Sequence, residues 1–139
     1  MKALTVRQPW ADDIAHGEKR VENRTRPTRY RGRLLIHAGL AADREAMRIA
    51  RMVGHRPGPD VRGAVIAVAE LAGCHHATGG CCPDFGFPDC WHWELTDVRA
   101  LPEPVPARGQ LGLWTPPPEV LSAVEEQLRE VNSPVTDRC

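Results

Sequence analysis

Residues 63–71 read GAVIAVAEL, and this stretch is the strongest indication of the fold. Between Gly63 and Leu71 only Glu70 is polar, so an extended segment here has apolar side chains on both faces. A strand with two apolar faces lies in the interior of a sheet, because both faces must be covered. Residues 63–71 therefore predict a central strand, interrupted near its end by Glu70.

Further strands are predicted on both sides of this segment. Residues 91–96 alternate, which places Trp91, Trp93 and Leu95 in the core. The opposite face of this strand, which includes His92, is expected to face water. The remaining strands are expected at residues 2–6, 33–37, 98–101 and 111–115, with a proline-rich turn at residues 102–109.

Three helices are predicted around these strands. Gly17 ends a short helix at residues 11–16, and Asp43 and Gly54 cap a helix at residues 44–53. A third helix begins after the prolines at residues 116–118. The apolar faces of the second and third helices comprise Ala46, Met47, Ala50 and Val53, and Leu121, Val124, Leu128 and Val131. The pattern predicts an α+β fold, mainly β, with a small β-barrel and peripheral helices.

The composition is typical of one globular domain. At 139 residues, with 42% apolar and 26% charged residues, the chain can form its own core without disulfides or metals. It contains neither a signal-peptide pattern nor an apolar run near the ~20 residues that span a bilayer. We expect a cytoplasmic protein, with no membrane partner, whose five cysteines stay reduced.

Positive charge is concentrated in one short segment. The chain has 18 basic and 18 acidic residues, so its formal net charge is zero. Between residues 19 and 33, however, Glu22 is the only acid among seven cations, which are Lys19, Arg20, Arg24, Arg26, Arg29, Arg31 and Arg33. The neutral total argues against indiscriminate coating of nucleic acid, whereas the local excess favours one basic groove. The last four arginines are interpreted as a basic edge that leads away from this groove.

The same segment carries a family resemblance. Gly17, Lys19, Glu22 and Arg24 match the signature G-x-K-x-x-E-x-R of the ASCH domain. Residues 4–10, 63–67 and 104–109 also resemble this family, so the resemblance covers about residues 3–115. It implies a PUA-like β-barrel, a fold associated with RNA recognition, in which the signature lines a cleft. We expect an ASCH domain at residues 1–116, with a helix and tail at residues 117–139 packed on it.

Three signature residues are the principal candidates in such a cleft. Lys19 is interpreted as a solvated phosphate anchor, as a catalytic nucleophile or base, or as half of a structural ion pair. Glu22 either accepts hydrogen bonds from a base edge or braces its cationic neighbours. Arg24 suits bidentate contact with phosphate.

Other residues are expected to reach the same cleft. Arg7 and Gln8 lie on the turn before Trp10, and Trp10 either stacks on a base or belongs to the core. His37 and Glu70 each end an apolar strand, where a side chain either turns into a cavity or is satisfied at the barrel rim.

Cysteine and histidine residues cluster in the second half of the chain. Among them, the candidate ligands for tetrahedral zinc are Cys74, His76, Cys81 and Cys82. The spacing is irregular and lacks paired C-x-x-C motifs, so free thiols on the Gly79-Gly80 loop or a disulfide are the alternatives. No cofactor is expected unless these residues bind zinc.

Two functions are kept open. The first is RNA or nucleotide binding, with phosphate on Lys19, Arg24 and Arg7 and a base against Glu22. The second is a hydrolase that uses Lys19 and Glu22 as catalytic residues in the same cleft. Such a hydrolase is either a ribonuclease or an amidohydrolase that acts on a modified nucleobase such as N4-acetylcytidine. For the amidohydrolases, the resemblance implies a lysine at the position of Lys19 but a threonine at that of Glu22.

Overall fold

The computed structural model describes residues 1–132, which form six strands and three helices. In chain order these are β1 (Lys2–Gln8), α1 (Trp10–His16), β2 (Val21–Arg24), β3 (Gly32–Ala42), α2 (Arg44–Val53), β4 (Ala64–His76), β5 (Trp91–Pro106), β6 (Leu113–Trp114) and α3 (Pro118–Asn132). The strands contain more residues than the helices, which confirms the predicted α+β, mainly β class. None of the helices in this part of the chain is both long and apolar enough to cross a membrane. The predicted tail at residues 133–139, with Cys139, lies outside the described residues.

All six strands belong to one mixed sheet that curves into a half-barrel. The strand order is β2-β5-β4-β3-β1-β6, so β4 is interior, as predicted for residues 63–71. β1 runs parallel to β3, and every other neighbouring pair is antiparallel. Within residues 1–132, the predicted barrel is therefore open, with β2 and β6 at its edges.

The core lies on both faces of the sheet. Leu34 and Ile36 of β3 join the cluster that contains Ile14 of α1, whereas Leu35 joins the cluster that contains Val124 of α3. Because adjacent residues of a strand point to opposite faces, α1 and α3 cover opposite sides of the sheet. Burial of each such aliphatic side chain contributes about 1.5–3 kcal/mol, so the two clusters hold both helices on the sheet.

A tight turn after α1 leads into strand β2. The backbone amides of Gly17 and Lys19 both donate to the carbonyl oxygen of Asp13, at 3.2 and 3.1 Å. A Cβ atom at residue 17 would lie 2.9 Å from that oxygen, so the close approach requires glycine. The sequence pattern does not predict β2, whose four residues pair at the edge of the sheet with β5.

Strand β5 differs from its prediction. The expected short strands and proline-rich turn form one continuous strand as far as Pro106. β2 pairs with residues 91–94, and the amide of Leu95 donates to the carbonyl oxygen of Arg20. Beyond residue 95, no strand of the described chain pairs with the outer edge of β5. Pro102 and Pro104, which lack an N–H, are tolerated on such an edge, and this is why they do not end the strand.

Helix α2 has the predicted ends but not the predicted buried face. Asp43 accepts a hydrogen bond from the amide of Ala46 at 3.1 Å, and Gly54 ends the helix with φ of 72°. Of the predicted face only Ala50 is buried, and Val53 is 71% exposed. The helix therefore lies on the surface, where its two caps contribute to its stability.

Helix α3 packs its predicted apolar face against the sheet. Val124 and Leu128 are buried, and Leu121 is half-buried. The side chain of Gln127 donates to the carbonyl of Glu103 and accepts from its amide, at 2.9 and 3.0 Å, which ties the helix to β5. Of the predicted face, only Val131 lies outside the residues whose side chains are described.

Candidate functional site

A cavity of about 1120 Å³ is lined by β1, β2, β3 and the loop that follows β5, and we call it the cleft. Three of its charged lining residues come from residues 19–24, and the other three come from separate segments of the described chain. The six residues are the cations Arg7, Lys19, Arg24 and Arg108 and the acids Glu22 and Asp43. The excess of cations favours an anionic or strongly polar ligand.

Lys19 lies at the inner end of the cleft. Its residue is 1% exposed, and its ammonium lies 5.0 Å from the ring centroid of Trp10 and 5.3 Å from that of Phe85. The Oε1 atom of Glu22 is 3.8 Å from Nζ, a distance that allows an ion pair but not a hydrogen bond. Lys19 is therefore not the solvated side chain that was expected, because the aromatic rings cover it, whereas its role as a phosphate anchor stays a prediction. Within residues 1–132, the ammonium makes no hydrogen bond, so its three donors are available to a ligand.

Glu22 and Arg24 share one face of β2, since alternate residues of a strand point to the same side. The Nε and Nη2 atoms of Arg24 lie 3.0 and 2.9 Å from Oε2 of Glu22. Nη2 also donates to the backbone carbonyl of Thr5 at 2.8 Å. Because β1 and β2 lie four positions apart in the sheet order, this bond spans the open side of the half-barrel. Arg24 thus fixes the Glu22 carboxylate and joins two walls of the cleft.

Burial lowers the pKa of the Lys19 ammonium below its ordinary value of 10.5, while the neighbouring Glu22 carboxylate offsets part of this shift. Between the folded and unfolded pKa values, the unfolded chain binds more protons than the folded one, so stability rises with pH. We expect the free energy of unfolding of the wild type to rise relative to that of Lys19→Met as the pH increases toward 10.5, the ordinary pKa of lysine. Urea denaturation at a series of pH values measures this difference. Parallel curves for the two proteins would contradict the shift.

Three of the other predicted residues also line the cleft. Arg7 is exposed, and Trp10 is half-buried with its indole N–H donating to Asp43 at 3.0 Å. His37 is buried between the carbonyl of Ala107, 2.7 Å from Nε2, and the hydroxyl of Thr5, 3.2 Å from Nδ1. Burial lowers the pKa of His37, so its imidazole is held as a neutral part of the wall.

The other predicted residues lie outside the cleft. Gln8 is fully buried, and its amide binds the carbonyl of Val61 and the backbone N–H of Asp12, at 2.9 and 3.0 Å. Its role is therefore to hold α1 against the loop before β4. Glu70 lies within β4, opposite Arg33 and Thr96, and does not line the cleft. The predicted basic edge is exposed and also lies outside the cleft lining, at Arg26, Arg29, Arg31 and Arg33.

An aromatic wall that the sequence pattern does not predict covers the inner end of the cleft. Phe85 and Phe87 contact Trp10 edge to face, with centroid distances of 6.5 and 5.9 Å. The side chain of Asn23 holds both of these residues, since it donates to the carbonyl of Phe85 and accepts from the amide of Phe87, each at 2.8 Å. Phe87 is 49% exposed and lines the cleft, which makes it the accessible ring of this wall.

A second side-chain cluster lies beside this wall. Four side chains each offer one potential metal-binding atom, a ring nitrogen or a sulfur, and these four atoms lie within 4.8 Å of one another. The four residues are His75, Cys81, Cys82 and His92. Cys74 and His76, which were predicted as ligands, are not members, because they point to the other face of β4. His92 is buried rather than wet, since the loop after β4 folds over it and Phe87 O lies 2.7 Å from its Nε2. His75 and His92 are paired across β4 and β5, a register that the sequence alone does not reveal.

Comparisons with known proteins agree with this architecture. The family model of the ASCH domain matches residues 4–81, which is more than half of the chain. The crystal structure of a mutant of the ZmASCH protein from Zymomonas mobilis is similar to the chain with a TM-score of 0.54 and 16% identity. That match covers 90% of this chain and 96% of the other, and it shows a shared fold. No curated protein matches the sequence. The chain belongs to the ASCH domain family, which is generally linked to RNA binding.

Proposed function

We propose that the cleft binds single-stranded RNA or a nucleotide through the Lys19, Glu22 and Arg24 side chains. The observation that carries this proposal is the Lys19 ammonium, which lines the cleft beside the aromatic rings and makes no hydrogen bond to the described chain. A cation with free donors in a largely apolar surrounding favours a polar ligand that completes its hydrogen bonds. The family's general link to RNA favours a nucleotide as that ligand.

In this proposal, phosphate contacts come from the cations of the cleft. Lys19 supplies the inner contact, and the exposed Arg7 and Arg108 supply contacts nearer to solvent. Arg24 acts chiefly by holding Glu22 and Thr5, because two of its nitrogens are already engaged. A cavity of about 1120 Å³ has room for a nucleotide, since pockets for small molecules occupy about 300–1,000 Å³.

Glu22 supplies base selectivity in the same proposal. Arg24 engages its Oε2 atom, and Oε1 faces Lys19 at a distance that leaves room for another donor. A carboxylate oxygen accepts hydrogen bonds from the amino group of cytosine or from the Watson–Crick edge of guanine. The cleft is therefore expected to prefer bases that present N–H donors to Glu22.

Phe87 is proposed to stack on the bound base, because its ring is exposed at the wall of the cleft. Stacking on an aromatic ring contributes about 1–3 kcal/mol per base, so Phe87→Ala should weaken RNA binding by roughly 5–150-fold. The matched variant Phe87→Leu retains apolar volume but removes the ring, and it should lose most of the same affinity. Fluorescence anisotropy with a short labelled single-stranded RNA measures both. Wild-type affinity in Phe87→Ala would exclude stacking at this position. Binding of neither RNA nor a free nucleotide by the wild type would refute the proposed function.

A hydrolase that uses the same cleft is the second candidate function. The observation that favours it is the lowered pKa of Lys19, since burial increases the fraction of neutral amine that can act as a nucleophile or base. An amidohydrolase would act on a free nucleoside such as N4-acetylcytidine, whereas a ribonuclease needs a phosphodiester. Chromatography after incubation with each substrate separates these activities. The absence of turnover with both would leave RNA or nucleotide binding as the function.

A further inference from the structure

We propose that His75, Cys81, Cys82 and His92 form a tetrahedral zinc site beside the cleft. The two histidines come from paired positions of β4 and β5, and the two cysteines come from the loop that joins these strands. Four soft or borderline ligand atoms within 4.8 Å of one another have the composition of a closed Cys2His2 site. This donor set favours zinc over magnesium or calcium, which prefer oxygen ligands.

The separations of the ligand atoms fit a common central ion. The Nε2 atom of His75 lies 3.4 Å from Sγ of Cys81 and 3.6 Å from Sγ of Cys82. The Nδ1 atom of His92 lies 3.5 Å from Sγ of Cys81. With Zn–S bonds of about 2.3 Å and Zn–N bonds of about 2.0–2.1 Å, sulfur and nitrogen ligands of a tetrahedron lie about 3.5–3.6 Å apart. Little rearrangement is therefore needed to place zinc at the centre.

In each histidine, the ring nitrogen that points away from the sulfurs, which we call the outer nitrogen, already faces a hydrogen-bond acceptor. The other ring nitrogen is called the inner nitrogen. Nδ1 of His75 lies 2.8 Å from a carboxylate oxygen of Glu94, and Nε2 of His92 lies 2.7 Å from the carbonyl oxygen of Phe87. Each outer nitrogen therefore donates its N–H, which leaves the inner nitrogen of a neutral ring with its lone pair facing the sulfurs. Pairing of a metal-binding histidine with a carboxylate or backbone carbonyl is the usual way to fix its orientation.

Hydrogen bonding between neutral thiols and neutral rings accounts for this arrangement less well. The single S–H of Cys81 cannot donate to both nitrogens near it, which are Nε2 of His75 and Nδ1 of His92. The Nε2 atom of His75 also faces two sulfur atoms, those of Cys81 and Cys82. A disulfide between the adjacent cysteines would leave both inner nitrogens without a donor. A metal ion satisfies all four atoms at once, and this is the geometric argument for zinc.

The site would also stabilise the aromatic wall. The loop that supplies Cys81 and Cys82 continues to Phe85 and Phe87, and the Phe87 carbonyl accepts the outer N–H of His92. A Cβ atom at Gly86 would lie 2.5 Å from Cβ of Cys82 and 2.7 Å from the His92 ring, so the loop packs directly on the cluster. Zinc would therefore anchor the loop that carries Phe85 and Phe87, two of the rings of the aromatic wall.

Metal content of the purified protein tests this site independently of RNA binding. Native mass spectrometry and elemental analysis should find about one zinc per wild-type chain. Cys81→Ser and His75→Ala should lose the metal, whereas Cys74→Ser and His76→Ala, which change the same residue types outside the cluster, should retain it. Circular dichroism checks that each variant folds. Metal retention in folded Cys81→Ser, or loss in both control variants, would overturn the assignment.

Reconstitution of the full-length protein provides the second measurement. After removal of metal with a chelator, added Co²⁺ should give the thiolate-to-cobalt absorption of a tetrahedral site in the wild type but not in Cys81→Ser. Glu94 is a positioning residue in this account, so Glu94→Gln should bind zinc about 10–100-fold more weakly while the cobalt spectrum is retained. If the reduced, folded apoprotein takes up neither Zn²⁺ nor Co²⁺, the site does not exist.

Discussion

Lys19→Met is expected to weaken binding of single-stranded RNA by about 10–100-fold. Methionine retains the apolar contacts with Trp10 and Phe85 but removes the only ammonium at the inner end of the described cleft. A hydrogen bond to a charged group contributes about 1.5–3 kcal/mol, which corresponds to this loss of affinity. Anisotropy titrations of a labelled RNA measure the change directly.

Arg29→Met is the matched control for this variant. It removes one positive charge from the same basic segment, but Arg29 is exposed and lies outside the cleft lining. Its effect on affinity should be several-fold smaller. If Lys19 contacts phosphate, the slope of log affinity against log salt should also become shallower by about 0.7 in Lys19→Met. Equal losses in the two variants would mean that net charge, rather than the cleft, determines binding.

Glu22→Gln is expected to reduce the free energy of unfolding by about 2–4 kcal/mol. The carboxylate lies between the Lys19 ammonium and the Arg24 guanidinium, and its loss leaves two cations together with no acid between them. Removal of one partner from a fully buried pair costs about 3–5 kcal/mol, and the expected value is lower because the Arg24 side chain is 26% exposed. Urea denaturation at neutral pH gives the difference.

A double-mutant cycle separates this charge effect from altered packing. The variant that combines Lys19→Met with Glu22→Gln lacks the buried ammonium, so it should be more stable than Glu22→Gln alone. Arg48→Met is a useful reference, because its ion pair with Glu45 lies on the exposed surface of α2 and should contribute less than about 1 kcal/mol. If Glu22→Gln and the wild type are equally stable, Glu22 does not compensate the two cations.

The sequence predicts the parts of this site that depend on local spacing. Gly17 ends α1 as predicted, and Lys19, Glu22 and Arg24, which lie close together in the sequence, all line the cleft. The interior position of β4 in the sheet is also predictable from its own residues, because a strand with apolar side chains on both faces must be covered on both sides.

Contacts between distant segments are not predictable from the same patterns. Asn23 binds backbone groups of Phe85 and Phe87 more than sixty residues away, and these bonds position the aromatic wall that buries Lys19. The cross-strand pairing of His75 with His92 likewise depends on the register of β4 and β5, which contains several irregularities. The pair Phe85 and Phe87, in a loop otherwise rich in small residues, is the one local signal that points to the wall.

Co-crystallisation with a short single-stranded RNA tests the central claim most directly. The account predicts a nucleotide in the cleft, with a phosphate or base atom within hydrogen-bonding distance of Lys19 Nζ and a base edge facing Glu22. RNA bound instead along the exposed arginines at residues 26–33, with nothing in the cleft, would contradict it.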